Sequence, residues 1–267
     1  MKFAASVLLS MFLPLSAHAA DSGIDAARQR GTLVAGVSYP LPAYVAGAKF
    51  RTPESPESIL VEDIGKRLKL KLGMPKVDSS NAAQWIKSGR ADVVLALADD
   101  SDALRRDAAV VAIPTGYSAG AMAIMRSDTD IKSWEQLKGR TVCLSEGGAY
   151  VGKIAAKYGA IEKVQRAPAD SLLSLRIGAC DAAVHDDTML NDLLKLPEWK
   201  KFSARLPVRD RQLLVFVVRA DDTRSISYLK QTSADWAAGS FWPELKKKWV
   251  NNVAFEVYLD QNVPDCH

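Results

Sequence analysis

Histidine is scarce in this chain: three occur among 267 residues, at positions 18, 185 and 267. That spacing offers no metal-ligand motif and no nucleophile–histidine–acid arrangement, so neither a structural metal, nor a cofactor, nor a hydrolytic triad is expected. Cysteine is scarce too. Cys143, Cys180 and Cys266 are odd in number, which permits one disulfide and leaves one thiol over or paired between chains. Beyond the first twenty residues no unbroken apolar run approaches ~20 residues, which excludes a membrane-spanning helix there. No charge sign dominates either: 35 Lys and Arg stand against 31 Asp and Glu, scattered throughout, and nucleic acid is not an expected partner. The densest basic run, "LKKKWV", reads as the solvated face of a terminal helix.

What is present begins with "MKFAASVLLSMFLPLSAHA". Lys2, a short apolar run, and small residues at Ala17 and Ala19 form the pattern of a cleaved secretory signal over residues 1–19. With no cysteine just after that site, the expectation is a free, exported protein in a periplasm-like space. Roughly 250 further residues exceed one ordinary core and suggest two modest domains.

Along the chain, short buried strands alternate with amphipathic helices. "TLVAGVS", "ADVVLALA", "GAMAIMRS", "RTVCLS", "CDAAVHD" and "LLVFVVRA" read as strands. "EDIGKRLKLKLG", "NAAQWIKSG", "AYVGKIAAKYG", "ADSLLSLRIGA" and "TMLNDLLKL" read as helices, several ended by glycine. This is an α/β pattern with mainly parallel sheets flanked by helices. It restarts after residue 115, which predicts two lobes: 20–115 with 219–267, and 116–218. A ligand would sit between them, outside the carboxyl ends of the strands. The Pro- and Gly-rich loop "YPLPAYVAGAKFRTPESPES" is long enough to carry function.

In their order and spacing, "RGTLVAGVS", "EDIGKRLKLKLG", "IKSGRADVVLALA", "SWEQLKGRTVCLSEGG" and "IGACDAAVHD" resemble the polar amino-acid-binding family of extracytoplasmic solute-binding proteins of ABC importers. The resemblance covers nearly the whole chain after the leader. It implies a two-lobed, hinged periplasmic-binding-protein fold, a small-molecule ligand, an ABC permease in the inner membrane as partner, a monomer, and a periplasmic location. It also implies a disulfide between Cys143 and Cys180. Such a bridge closes a loop of about 38 residues, for which chain entropy suggests roughly 3–4 kcal/mol.

The same resemblance marks site residues. Arg105, or its neighbour Arg106, falls where the family's arginine grips the ligand's α-carboxylate, a task suited to a guanidinium fork. Asp186 falls where an aspartate receives the ligand's ammonium; otherwise it or Asp187 would cap the following helix. Gly147 and Gly148 lie at the turn whose backbone N–H groups face an anionic ligand group, without the hydroxyl residues usual there. Tyr44, or Tyr39, matches an aromatic wall. The segment "ALADDSD" replaces a glycine-threonine stretch, so Asp99, Asp100 and Ser101 bring negative charge to the cleft mouth or are solvated turn residues. Turned inward, they would suit a basic amino acid or a cationic amine. Val61 stands where an acid is usual, followed by Glu62 and Asp63.

A receptor needs no catalytic residues, and no enzyme is expected. Two other readings stay open. One is an accessory to an exported dehydrogenase or a sensor. The other is a cyclohexadienyl-dehydratase-like enzyme on the same fold, with Glu146 as general acid.

Overall fold

The structure, a computed structural model, describes residues 23–40, 49–98, 104 and 106–261. The expected leader, Tyr44, Asp99, Asp100, Ser101, Arg105 and Cys266 lie outside the described residues.

Helix α1 (Ile24–Arg30) stops at Gly31, whose left-handed backbone lets its N–H close on the carbonyls of Ala27 and Arg28. Strand β1 (Thr32–Gly36) follows. Helix α2 (Glu57–Leu68) buries Leu60, Val61 and Ile64 on one face, the helical spacing read in the sequence. Gly65 lets α2 lie against the next strand: a Cβ there would meet Leu72 at 2.6 Å. Strand β2 (Lys71–Gly73), helix α3 (Ala82–Lys87) and strand β3 (Val93–Ala98) complete this half, with β1 parallel to both β2 and β3.

The second half holds β5 (Thr141–Ser145), α4 (Lys153–Tyr158), β6 (Ile161–Gln165), α5 (Pro168–Arg176), β7 (Ala182–Asp186) and α6 (Asp187–Leu193), with β5 parallel to β6 and β7. Two long antiparallel strands join the halves: β4 (Val110–Met125) and β9 (Arg209–Arg219). Among the described residues the sheet order is β2-β1-β3-β9-β4-β7-β5-β6, and the short β8 (Ala204–Arg205) pairs with β4.

The sequence reading places a strand from residue 120, whereas β4 begins at Val110. Its first part carries Pro114 and Gly116, residues that read as a turn. The structure accommodates them in an irregularity of the β4–β9 register between Pro114 and Ser118, where Gly116 takes φ 94°. Across this break β9 also pairs with β3, over Leu213–Val217.

Helix α7 (Thr223–Ala238) starts on the side chain of Asp222, which accepts from the Ser225 N–H. Helix α8 (Phe241–Leu259) then packs on α7 and also on α5 and α6. Its buried Leu245, Trp249, Val250, Val253 and Val257 join one apolar cluster that includes Leu33 and Leu60 of the first half and Leu172 and Leu190 of the second. Among the described residues no helix is long and apolar enough to cross a membrane.

Candidate functional site

Strands β1 and β3 run opposite to β5 and β7 across the β9–β4 pair, so their carboxyl ends point at one another: Ala98 lies opposite Leu213 on β9 and Asp186 opposite Ala121 on β4. Ser38, Tyr39 and Leu97 from the first half face Glu146, Gly147 and Ala149 from the second across a cleft of 540 Å³. A cavity of 20 Å³, room for one water, lies beneath it and shares Ser38, Leu97, Gly147, Ala149 and Gln212 with the cleft. Glu54, Glu57, Tyr117, Tyr150 and Asp186 line that inner cavity.

Asp186 ends β7 at the first turn of α6, yet its side chain does not cap that helix. The Tyr117 hydroxyl donates to one carboxyl oxygen at 2.6 Å and the Tyr150 hydroxyl to the other at 2.7 Å. Burial, reinforced by the charge of Glu54, pushes the Asp186 carboxyl up to about 7 against the pull of both hydroxyls. Burial and the neighbouring Asp186 also raise both phenols. Asp187 points elsewhere, accepting the Gly120 N–H at 2.9 Å and the Arg211 guanidinium.

Glu54 comes from the loop before α2 and is 3% exposed. Its Oε2 meets His185 Nδ1 at 2.6 Å and accepts from the Ser145 hydroxyl; its Oε1 accepts the Asp186 N–H at 3.3 Å. Burial alone would raise this carboxyl, but the His185 ring, with the Ser145 hydroxyl, outweighs it and holds Glu54 below its ordinary range. On its other side His185 Nε2 lies 2.8 Å from Ser171 Oγ. The spacing of Ser171, His185 and Glu54 repeats that of a Ser–His–acid triad, which the sequence reading did not find because the three residues lie on separate segments. Ser171 is fully buried and lines neither cavity, so the row is a buried relay with no substrate access. Glu57 is equally buried. It accepts the Ser38 N–H at 2.6 Å and the Ser38 hydroxyl, and burial raises its carboxyl.

At the expected anion turn, Gly147 takes φ 76°, and a Cβ there would sit 2.5 Å from the Tyr39 ring. Glycine is required for both reasons. The Tyr39 hydroxyl donates to Glu146 at 3.2 Å, joining the two walls of the cleft. The Gly148 N–H is engaged within the turn, donating to the Ser145 carbonyl at 3.1 Å. The helix expected from Ala149 begins at Lys153 instead, because the chain first passes through further turns and a left-handed Gly152. Arg106 is exposed and lines neither cavity. Val61 is buried in the core, and Asp63 accepts the Trp236 indole N–H at 2.8 Å, so neither belongs to the cleft.

Cys143 on β5 and Cys180 just before β7 form the expected disulfide, with Cα atoms 5.9 Å apart on neighbouring strands. Among the described residues no group of His, Cys, Asp and Glu is placed to hold a metal ion.

No protein-family profile and no curated protein matches the sequence. Solved structures do match. A mutant of ArgBP from T. maritima aligns with a TM-score of 0.57 at 20% identity, over 85% of this chain and 98% of its own. AbpA from Streptococcus pneumoniae, an amino acid ABC transporter substrate-binding protein crystallised with L-arginine, aligns with a TM-score of 0.57 at 15% identity, over 86% and 99%. The chain has the two-lobed fold of the periplasmic binding proteins. The ancestral amino acid-binding protein AncCDT-1, a precursor of cyclohexadienyl dehydratase, shares this periplasmic-binding-protein fold, with a TM-score of 0.55 at 18% identity over 85% and 98%. In such a fold the converging strand ends described above form the interlobe cleft.

Proposed function

We propose that the protein is a periplasmic solute-binding receptor that captures a small polar ligand, an amino acid or a cationic amine, between its lobes and delivers it to an ABC permease of the inner membrane. The observation that carries this reading is the inner cavity at the floor of the cleft, where Glu54, Glu57 and Asp186 are buried together with no Lys or Arg in its described lining, while Lys76 and Lys153 line the wider cleft above. Buried carboxyls demand a partner, and an ammonium or guanidinium group supplies one. The L-arginine bound by AbpA fits the same direction.

In this reading the leader at 1–19 directs export and the protein acts as a monomer. Lobes 20–115 with 219–267 and 116–218 close about β4 and β9. Asp186 receives the ligand's ammonium, and the Gly147–Gly148 turn lies against its anionic end. By the family resemblance, Arg105 would grip the ligand's carboxylate, Tyr44 would wall its side chain, and Asp99 and Ser101 would lie at the cleft mouth. We read the protein as a receptor rather than an enzyme: Glu146 is exposed, without the burial that would make it a general acid.

Thermal unfolding against a panel of amino acids, amines and carboxylates tests this. A ligand at about 100 times its Kd adds ~2.7 kcal/mol of stability. The expected result is a rise in Tm with L-arginine or a small cationic amine. If only non-amine carboxylates raise it, Asp186 loses its ammonium role and the dehydratase reading gains. If nothing does, the accessory reading gains, and co-purification with a dehydrogenase rather than a permease would follow.

A further inference from the structure

Among the three carboxyls of the inner cavity, Glu54 differs in how it is held. Both of its oxygens are engaged by the second half of the molecule, through His185, Ser145 and the Asp186 backbone, which leaves the side chain one position. Oε1 nevertheless carries a single bond at 3.3 Å, and a carboxylate oxygen accepts two. Asp186 has less to offer, because a tyrosine hydroxyl already occupies each of its oxygens and burial next to Glu54 favours its neutral form. The carboxyl of Glu57 is occupied by Ser38 within its own half.

We propose that Glu54, positioned by His185 and Ser145, is the anionic group that selects the ligand's cationic end, with Asp186 serving beside it as a hydrogen-bond acceptor. This rests on the receptor reading above and moves the charge preference, assigned there to Asp186, to Glu54. The sequence marks the long loop ending in "PESPES" as able to carry function but does not single out this residue. A further charge-assisted hydrogen bond at Glu54 Oε1, beside the contact Oε2 makes with His185, favours a cationic over a neutral ligand group in a water-poor cavity.

The test measures binding of L-arginine and of L-citrulline, its neutral isostere, by calorimetry on wild type and Glu54→Gln. The expected result is an arginine preference in wild type that falls at least tenfold in Glu54→Gln, with citrulline affinity changed by less than about threefold. An unchanged arginine-to-citrulline ratio in Glu54→Gln overturns the proposal and leaves the receptor reading standing. A wild type that binds neither probe removes the cationic amino-acid reading and the proposal with it. Should Glu54→Gln not fold, Glu54→Asp decides, because it keeps the charge and withdraws it by one methylene. Arginine weakened more than citrulline is then expected, and equal weakening overturns the proposal.

Discussion

At the residue scale the site is governed by proton sharing. Asp186 is buried between two phenols and Glu54, and its carboxyl is raised from an ordinary 3.8 to about 7. An acid raised on folding keeps its proton in the native state while the unfolded chain has already lost it. The native state therefore holds this advantage below about pH 4 and gives it up as pH rises through 7, a change of about 4 kcal/mol at the limit. Asp186→Asn cannot ionise and keeps the shape of the side chain. Its stability relative to wild type should therefore rise steadily between pH 4 and pH 8, measured by urea unfolding at fixed pH values. A difference that does not change with pH would show that Asp186 is not the group that titrates. Asp186 itself was legible from the sequence. Glu54 and Tyr117, which help set how Asp186 behaves, were not, because each comes from a separate segment and only folding brings them within 3.3 Å of Asp186.

At the element scale, strands whose residues are buried on both faces announced themselves. β3 is a run of small and branched apolar residues and β7 opens as one before His185 and Asp186, and the sequence pattern finds both. β4 was only half legible: the sequence pattern marks it from residue 120, whereas the strand runs from Val110 through Pro114 and Gly116, which its antiparallel partner β9 tolerates as a register irregularity. The short α4 was overextended in the sequence reading because "AYVGKIAAKYG" has helical apolar spacing, whereas Gly152 takes a left-handed conformation and delays the start. The Cys143–Cys180 bridge ties β5 to the approach to β7, 37 residues apart in sequence. Reduction should lower the unfolding free energy by roughly 3–4 kcal/mol, read as a fall in the urea midpoint on adding reductant. An unchanged midpoint would mean that the two strands need no covalent tie.

At the scale of the whole molecule, two lobes do not mean two independent cores. Helix α8 lies against α5, α6 and α7, its Trp249 indole N–H donates to the Pro53 carbonyl at 3.0 Å, and its Glu256 holds the Thr52 N–H and hydroxyl. The loop that carries Glu54 is thus braced by the C-terminal helix. Because one apolar cluster runs through both halves, thermal unfolding should be a single transition, with far-UV circular dichroism and tryptophan fluorescence coinciding. Two resolved transitions would contradict that. The sequence by itself determined the α/β alternation, the order of most strands and helices, and the pair of cysteines on neighbouring strands, because these depend on local periodicity and on a family pattern carried in short segments. Only the tertiary structure decided which carboxyls share the cleft floor, that the strand end bearing His185 holds a buried relay rather than a catalytic triad, and that α8 spans both halves. Those outcomes depend on burial and on contacts between distant segments, and burial is a property of the packed chain, not of any stretch of it.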